Sequence, residues 1–212
     1  MGAMRTESAC GKSVTGKSMK VYLAGPEVFL PNARIILDKK IEMARKYGFV
    51  PVSPGDLQVP ASAIGRSRGL AVSAINEQLM MSADMIIANL TPFRGISADV
   101  GTVYELGFMC ARGLPAYAFT NVAQDYFERV KDYYRGDLRQ DGQQGPYRGP
   151  DGLLLENYGL VDNLMLDGGI ESRKGTIIRH AVGPDNLYTD LTAFEKCLAT
   201  AAERLLLSNH KS

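Results

Sequence analysis

The stretch Asn76–Gly107, NEQLMMSADMIIANLTPFRGISADVGTVYELG, contains the pattern that decides the fold. Apolar residues recur at helical spacing over residues 70–83, and residues 84–90 then form a continuous apolar run opened by one carboxylate, which is typical of a buried strand. A loop containing Pro and Gly leads into a second helix candidate at 98–112. This order of helix, strand, loop and helix indicates a parallel sheet covered by helices.

The same alternation extends towards both ends of the chain. Strands are predicted at 20–25, 49–52 and 115–119, and a helix is predicted at 33–47. A closing amphipathic helix is predicted at 188–207. Because strands alternate with helices, we expect an α/β protein with a doubly wound parallel sheet.

The length of 212 residues fits one domain. Residues 1–18 are small and polar, which predicts a disordered leader, and the single domain is expected to span 19–207, with a tail at 208–212. Two segments rich in Gly and Pro interrupt the pattern. The first, at 53–69, is interpreted as a long loop, and the second, at 135–152, as a flexible insertion.

The composition restricts the class of partner. Because 24 Lys and Arg nearly cancel 23 Asp and Glu, the charge does not favour nucleic acid or a membrane surface over a small ligand. The three cysteines are widely spaced, which fits free thiols in a reducing compartment, and no apolar run reaches the length of a membrane span. We therefore expect a cytoplasmic protein.

His180 and His210 have no third ligand in any shared motif, so no metal site is predicted.

Residues Gly11–Ser18, GKSVTGKS, satisfy the letters of a phosphate-binding loop. Such a loop needs a strand before it and a helix after it, whose N-terminus holds the phosphates. Here nothing upstream can form a strand, and a strand, not a helix, is predicted to begin at Lys20. We therefore interpret the match as an accident of a polar leader.

The candidate catalytic residues lie at the edge of the sheet where ligands bind, outside the carboxyl ends of the strands. Glu105 is the odd residue in an apolar helix, so its carboxylate is expected to be partly buried, and Tyr22 is a plausible hydrogen-bond donor to it. Asp99 can remain on the loop if the helix starts late. An equally good interpretation from the residues alone is a structural carboxylate paired with Arg94 or Arg112. Two carboxylates in different surroundings suit glycosidic chemistry.

Several motifs in one order resemble the nucleoside 2-deoxyribosyltransferases. They are VYLAGPEVF at 21–29, Asn76 followed by Asp84, ANLTPFRG at 88–95, and the spaced set Asp99, Gly101, Thr102, Glu105 and Gly107. The likeness covers about residues 19–120, with a weaker match at 159–165 and in the closing helix. Several motifs together are far more specific than any one of them.

The resemblance implies a flavodoxin-like, three-layer α/β/α sheet and an exchange of purine or pyrimidine bases between 2′-deoxynucleosides. Glu105 would match the nucleophile that forms a covalent deoxyribosyl ester. Tyr22 would orient that carboxylate, and Asp99 would assist the departing base or hold a sugar hydroxyl. Asn76 stands where some members carry an aspartate, and because an amide supplies no proton at neutral pH, the identity of the general acid is open.

Further candidates line the substrate site or connect subunits. The expected substrate-binding residues are Gly25, Phe29, Asn76, Asp84, Phe93 and Asn163. Asp84 has an alternative role at the start of its strand, where it would accept backbone N–H groups. Asn163 matches a region that reaches a neighbouring active site, which implies a homo-oligomer with shared sites. No cofactor is expected.

Two other functions stay open at this stage. A hydrolase of the same fold would cleave 2′-deoxynucleoside 5′-monophosphates with water in place of the acceptor base, using hydroxyls and a basic group such as Arg94 at the phosphate. A non-catalytic nucleotide sensor would bind ligand without chemistry at Glu105. Transfer is favoured over hydrolysis because the loop at 25–29 resembles the transferases, and a role in nucleotide salvage follows from it.

Overall fold

The computed structural model describes residues 18–54 and 58–207. The predicted leader, apart from Ser18, lies outside the described residues, and so do nearly all of the phosphate-loop match and the tail at 208–212. These interpretations therefore stay predictions. Within the two described ranges, no helix is long and apolar enough to cross a membrane.

A parallel sheet forms the centre of the molecule. In chain order, the strands of the described residues are β1 (Lys20–Ala24), β2 (Val50–Val52), β3 (Met85–Asn89), β4 (Ala116–Thr120), β5 (Arg139–Gln140), β6 (Tyr147–Arg148), β7 (Leu154–Leu155) and β8 (Ile177–Arg179). Five of them are joined in the order β2-β1-β3-β4-β8, and every neighbouring pair is parallel. This is the flavodoxin-like order, in which the ligand crevice opens at the carboxyl ends of the first and third strands.

Helices cover both faces of this sheet. They are α1 (Ala33–Lys46), α2 (Gly65–Ser82), α3 (Val100–Ala111), α4 (Tyr126–Tyr133), α5 (Leu164–Glu171) and α6 (Thr192–Ala202), the last continued by a π-helical turn at Glu203–Leu207. Buried side chains of α2, α3 and α5 pack on one face, and those of α1 and α6 pack on the other. The predicted doubly wound, three-layer α/β/α fold is confirmed.

Strand alternation decides which layer each side chain of β1 meets. Successive side chains of a strand point to opposite faces. Tyr22 and Ala24 belong to the core shared with α3, whereas Val21 and Leu23 belong to the core shared with α1 and α6. The hydroxyl of Tyr22 is therefore directed to the layer that carries Glu105.

Some boundaries differ from those predicted. Helix α2 begins at Gly65 and not near residue 70, because the Ser67 hydroxyl accepts from the Ile64 amide and donates to the Ile64 carbonyl, which closes the first turn. The loop interpreted at 53–69 is correspondingly shorter. The helix α5 and the strand β8 lie between the strand predicted at 115–119 and the closing helix predicted at 188–207, and neither was predicted.

The insertion at 135–152 contains two strands, β5 and β6, of a small sheet that β7 completes just after it. Strands β5, β6 and β7 pair in an antiparallel sheet of three strands, with Gln140 opposite Tyr147 and Tyr147 opposite Leu155. The Phe127 ring of α4 packs on Tyr147, with 4.9 Å between ring centroids. Strands of two residues are too short for a period-two pattern, which is why the sequence shows no strand signal here. The predicted flexibility stays a prediction.

Candidate active site

Tyr22 and Glu105 meet at the boundary between the sheet and α3. The Tyr22 hydroxyl donates a hydrogen bond of 2.7 Å to Glu105 Oε1, and the Glu105 side chain is only 9% exposed. This contact joins residues 83 positions apart. The expected donor to the buried carboxylate is therefore present.

The structural alternative for Glu105, an ion pair with an arginine, is wrong. Arg112 donates to the backbone carbonyls of Met80 and Ala83, at 2.6 and 3.2 Å. Arg94 instead lies over the Phe29 and Phe93 rings, 5.1 and 4.7 Å from their centroids. Among the described residues, no cation lies within ion-pair distance of the Glu105 carboxylate.

Burial dominates the charge state of Glu105. The pKa of its carboxyl is raised from 4.5 to about 7, and removal from water is the largest cause. The Tyr22 hydrogen bond and the Lys40 charge oppose this rise, whereas the Asp99 and Glu27 charges add to it. Burial and the same carboxylate also raise the pKa of Tyr22 well above its ordinary value, so the phenol remains a neutral donor. Near neutral pH the Glu105 carboxyl is poised between its two forms, as a functional group in a cleft often is.

Asp99 is the N-cap of α3. Its Oδ2 accepts from the Thr102 amide at 3.0 Å and from the Thr102 hydroxyl at 3.2 Å, which satisfies one of the free N–H groups at the helix start. Gly101 leaves room for this carboxylate, since a Cβ there would lie 3.0 Å from Asp99 Oδ2. The helix therefore starts after Asp99, as the late-start alternative requires.

A cleft of about 430 Å³ opens over these carboxylates. Its walls come from the turn after β1, from α1, α2 and the start of α3, and from residue 54. The lining residues are Gly25, Val28, Phe29, Leu37, Pro54, Val72, Asn76, Asp99, Gly101 and Glu105. The fold thus brings Glu105 and Asp99 together with three predicted substrate-binding residues, Gly25, Phe29 and Asn76.

A second cleft of about 360 Å³ adjoins the first, between α2 and α3. Both are lined by Val72, Asn76, Gly101 and Glu105, and the second adds polar groups, among them Ser73 and Tyr104. The Glu105 carboxylate can therefore be approached from two connected spaces. Both clefts are mostly apolar, and the second adds the hydroxyls of Ser73 and Tyr104, which suits a ligand that carries hydroxyls beside an apolar ring.

An aromatic group forms one rim of the cleft. Phe29, which is 54% exposed, stacks on Phe93 with 5.4 Å between ring centroids and an angle of 17°. The Tyr188 ring meets Phe93 edge-on at 5.7 Å, and its hydroxyl donates to the carbonyl of Pro92. Phe93 therefore supports Phe29 from behind the cleft wall.

Two predicted substrate-binding residues lie elsewhere. Asp84 precedes β3, at the amino edge of the sheet, and its Oδ2 accepts from the Lys20 amide at 2.9 Å. Its predicted place in the substrate site is therefore wrong, because the cleft opens at the carboxyl edge, and the alternative role at the strand start is confirmed. Asn163 caps α5 and donates to Glu156 Oε1 at 2.6 Å, outside this chain's cleft.

Sequence reasoning missed a buried ion pair behind the cleft. Lys40 Nζ lies 2.7 Å from Glu27 Oε1, and the two side chains are 0% and 1% exposed. The available signal was Lys40 itself, a charged residue inside the apolar stripe of α1.

In the described part of the chain, no group of three or more His, Cys, Asp or Glu side chains is arranged to hold a metal ion.

Residues 21–165 match the family model for nucleoside 2-deoxyribosyltransferases. An uncharacterized protein of Schizosaccharomyces pombe is 35% identical over an alignment of 167 residues, and the match covers 74% of this chain and 79% of that protein. A solved 2-desoxiribosyltransferase from Leishmania mexicana is 26% identical, with a TM-score of 0.58, over 88% of this chain and 99% of that one. A conserved protein from Enterococcus faecalis V583 shares the fold, at 17% identity and a TM-score of 0.52, over 87% and 99%.

Proposed function

The chain belongs to the nucleoside 2-deoxyribosyltransferase family, and on that premise we propose that it exchanges the purine or pyrimidine base of 2′-deoxynucleosides through a covalent ester on Glu105. The observation that carries this proposal is the geometry of Glu105. The carboxylate lines the cleft, accepts a 2.7 Å hydrogen bond from Tyr22, and has no ion-pair partner among the described residues. An unpaired, desolvated carboxylate that faces a ligand space suits a nucleophile.

In the first half-reaction, a Glu105 oxygen attacks C1′ of the deoxyribose. The bond from C1′ to the base nitrogen breaks, its electron pair leaves with the base, and an ester joins C1′ to Glu105. In the second half, a nitrogen of the incoming base attacks C1′, the ester bond breaks and the carboxylate is restored. The base that leaves gains one proton and the base that enters loses one, so the exchange is balanced.

The mostly apolar wall of the larger cleft suits the flat ring of a base. Val28, Phe29 and Val72 supply apolar surface, and Asn76 can both donate to and accept from a base edge. Pockets of this kind fix orientation through a few polar groups set in an apolar lining. We therefore assign base binding to this wall, with Phe29 as the stacking ring.

Asp99 is the proposed polar helper. Both of its hydrogen bonds to Thr102 use Oδ2, and no partner of Oδ1 is found within the described ranges, so Oδ1 is available to a ligand. In the cleft lining, Asp99 and Glu105 are the acidic side chains, and Asn76 cannot supply a proton. We assign Asp99 to a sugar hydroxyl or to the proton of the departing base.

We also propose that the enzyme is a homo-oligomer with shared active sites. Asn163 lies outside the cleft of its own chain, and Met165, close to it, is 71% exposed. Sedimentation at enzyme concentrations used for activity assays tests this proposal. A monomer with full activity would contradict it.

The decisive experiment follows the base. Deoxyinosine is incubated with the enzyme, with and without free adenine, and the products are separated by chromatography. Formation of deoxyadenosine is expected. Release of hypoxanthine at a rate independent of adenine would contradict transfer and support a hydrolase, and the same assay with deoxyinosine 5′-monophosphate shows whether a phosphate is preferred.

Tyr22→Phe tests the hydrogen bond to the nucleophile. Because this bond lowers the pKa of Glu105, its loss is expected to move the acid limb of the kcat/KM profile to higher pH. Turnover is expected to fall about 10- to 100-fold, which corresponds to about 1.4 to 2.7 kcal/mol. Tyr47→Phe is the matched control, since its hydroxyl donates to Glu195, away from the cleft. An unmoved acid limb in Tyr22→Phe would contradict the orienting role.

A further inference from the structure

The Glu27–Lys40 pair is charged, fully enclosed and close to the cleft. Asn89 Nδ2 donates to Glu27 Oε1 at 3.1 Å, the same oxygen that binds Lys40 Nζ. The other oxygen, Oε2, is buried and has no hydrogen-bond partner within the described ranges. Buried charges are costly, and apolar residues of similar size often stabilise a core as well or better. Stability alone therefore does not explain this pair.

The Glu27 side chain connects the turn after β1 with β3 and α1, beside the cleft. Glu27 lies in the short 3₁₀ turn Pro26–Phe29 that follows β1, and Gly25 and Phe29, two positions before and after it, line the cleft. Gly25 must lack a side chain because a Cβ there would overlap Glu27 Oε2. Asn89 ends β3, next to β1 in the sheet. The Glu27 carboxylate thus fixes the turn against the floor of the cleft.

Lys40 contacts Glu27 from α1, which covers the face of the sheet opposite to α3. It belongs to α1, and its Nζ lies 5.5 Å from the Phe119 ring centroid and 5.0 Å from that of Phe194. The two rings and Glu27 enclose the ammonium group. This arrangement places the ammonium group of the ion pair behind the turn, where water does not screen it.

Four charged or titratable groups from different elements act on Glu105. Tyr22 comes from β1 and Asp99 from the start of α3, Glu27 comes from the turn and Lys40 from α1. Lys40 lowers the pKa of Glu105, whereas Glu27 raises it. The two members of the pair therefore have opposite electrostatic effects on the nucleophile.

We propose that Glu27 and Lys40 are positioning residues of the transfer reaction, which hold the turn that carries Gly25 and Phe29 and set the charge behind the Glu105 carboxylate. This inference rests on the proposed role of Glu105. Neither residue lines the cleft, so both act through the turn and through the field at Glu105 and not by touching the substrate.

The test is a double-mutant cycle read as a pH profile. Lys40→Met, Glu27→Gln and the double variant keep the side-chain volumes close to those of the wild type, and kcat and KM are measured from about pH 5 to 9. Lys40→Met is expected to move the acid limb of kcat/KM to higher pH and Glu27→Gln to move it to lower pH, because the Lys40 charge lowers the pKa of Glu105 and the Glu27 charge raises it. The double variant is expected to return close to the wild type. Both single variants are also expected to raise KM, because the turn carries Phe29.

A purely structural role would leave the acid limb unmoved or shift it in the same direction in both single variants, and either result would overturn the proposal. Each substitution can be read in two ways, from the wild type to the single variant or from the other single variant to the double variant. If one single variant does not fold, the effect of its substitution is therefore read from the other single variant to the double variant. If neither folds, a displaced limb in the double variant counts against the proposal. Asp38→Asn on α1, which breaks an exposed pair with Arg34, is the control and should change nothing.

The proposed function and this inference fail in different ways. If adenine does not capture the sugar, the exchange reaction is refuted, but the same cycle is then read on base release, because attack by Glu105 begins both reactions. If Glu105 forms no adduct with a trapping nucleoside, the nucleophile itself is refuted. Opposite shifts in the two single variants are predicted only by the positioning role.

Discussion

Replacing Glu105 with Gln is expected to lower turnover by about 10⁴-fold or more while the fold is retained. The amide is nearly the same size and can still accept from the Tyr22 hydroxyl, but it cannot form the ester with C1′. Glu105→Ala should lose as much activity, although it leaves the buried Tyr22 hydroxyl without its partner. Rates of deoxyadenosine formation, with circular dichroism as the check on folding, measure this effect.

Covalent trapping of the sugar on Glu105 tests the same role of Glu105 through a product that is expected to form. With a 2′-deoxy-2′-fluoronucleoside, the intact mass of the wild-type chain is expected to increase by one fluorinated sugar, and peptide mapping should locate it on Glu105. The Glu105→Gln chain should show no increase. Glu42→Gln, an exposed carboxylate on α1, is the matched control and should react as the wild type does. Turnover that survives in Glu105→Gln would contradict the assignment of Glu105 as the nucleophile. An adduct on another residue would assign the nucleophile to that residue.

The contact between Tyr22 and Glu105 was accessible from the sequence because both residues break a simple pattern. Glu105 interrupts an apolar helix, and strand alternation directs Tyr22 to one face of the sheet. What the residues alone did not decide was whether Glu105 has an arginine partner. That depended on where Arg94 and Arg112 point, and their targets are aromatic rings and backbone carbonyls.

The parts that were missed depend on long-range or irregular contacts. Glu27 and Lys40 are 13 residues apart and approach one another because the turn after β1 folds back over α1. Nothing in local spacing indicates this. Asp84 was misplaced for a related reason, since a motif match gives its order in the chain but not the edge of the sheet at which it lies. The strand β8 was missed because three residues in a polar stretch give no period.

The same Glu105→Gln substitution is expected to make the protein more stable at alkaline pH, although it is inactive. Burial raises the pKa of Glu105 from 4.5 in the unfolded chain to about 7 in the folded one. Below about pH 4.5, Glu105 is protonated in both the folded and the unfolded chain and does not lower the free energy of unfolding. As the pH rises through 7, the buried carboxyl must ionise, and the free energy of unfolding falls. A shift of this size corresponds to about 3 kcal/mol.

Denaturant unfolding of wild type and variant at several pH values measures this difference. The free energy of unfolding of Glu105→Gln is expected to exceed that of the wild type by about 3 kcal/mol at pH 8 and to equal it near pH 4. Other acids titrate in both proteins, so only the difference between the two curves reports on Glu105. Glu42→Gln, which removes an exposed carboxylate from α1, is the control and should track the wild type. A difference that is constant with pH would mean that the Glu105 carboxylate is not strained by burial, and its reactivity would then need another source than desolvation.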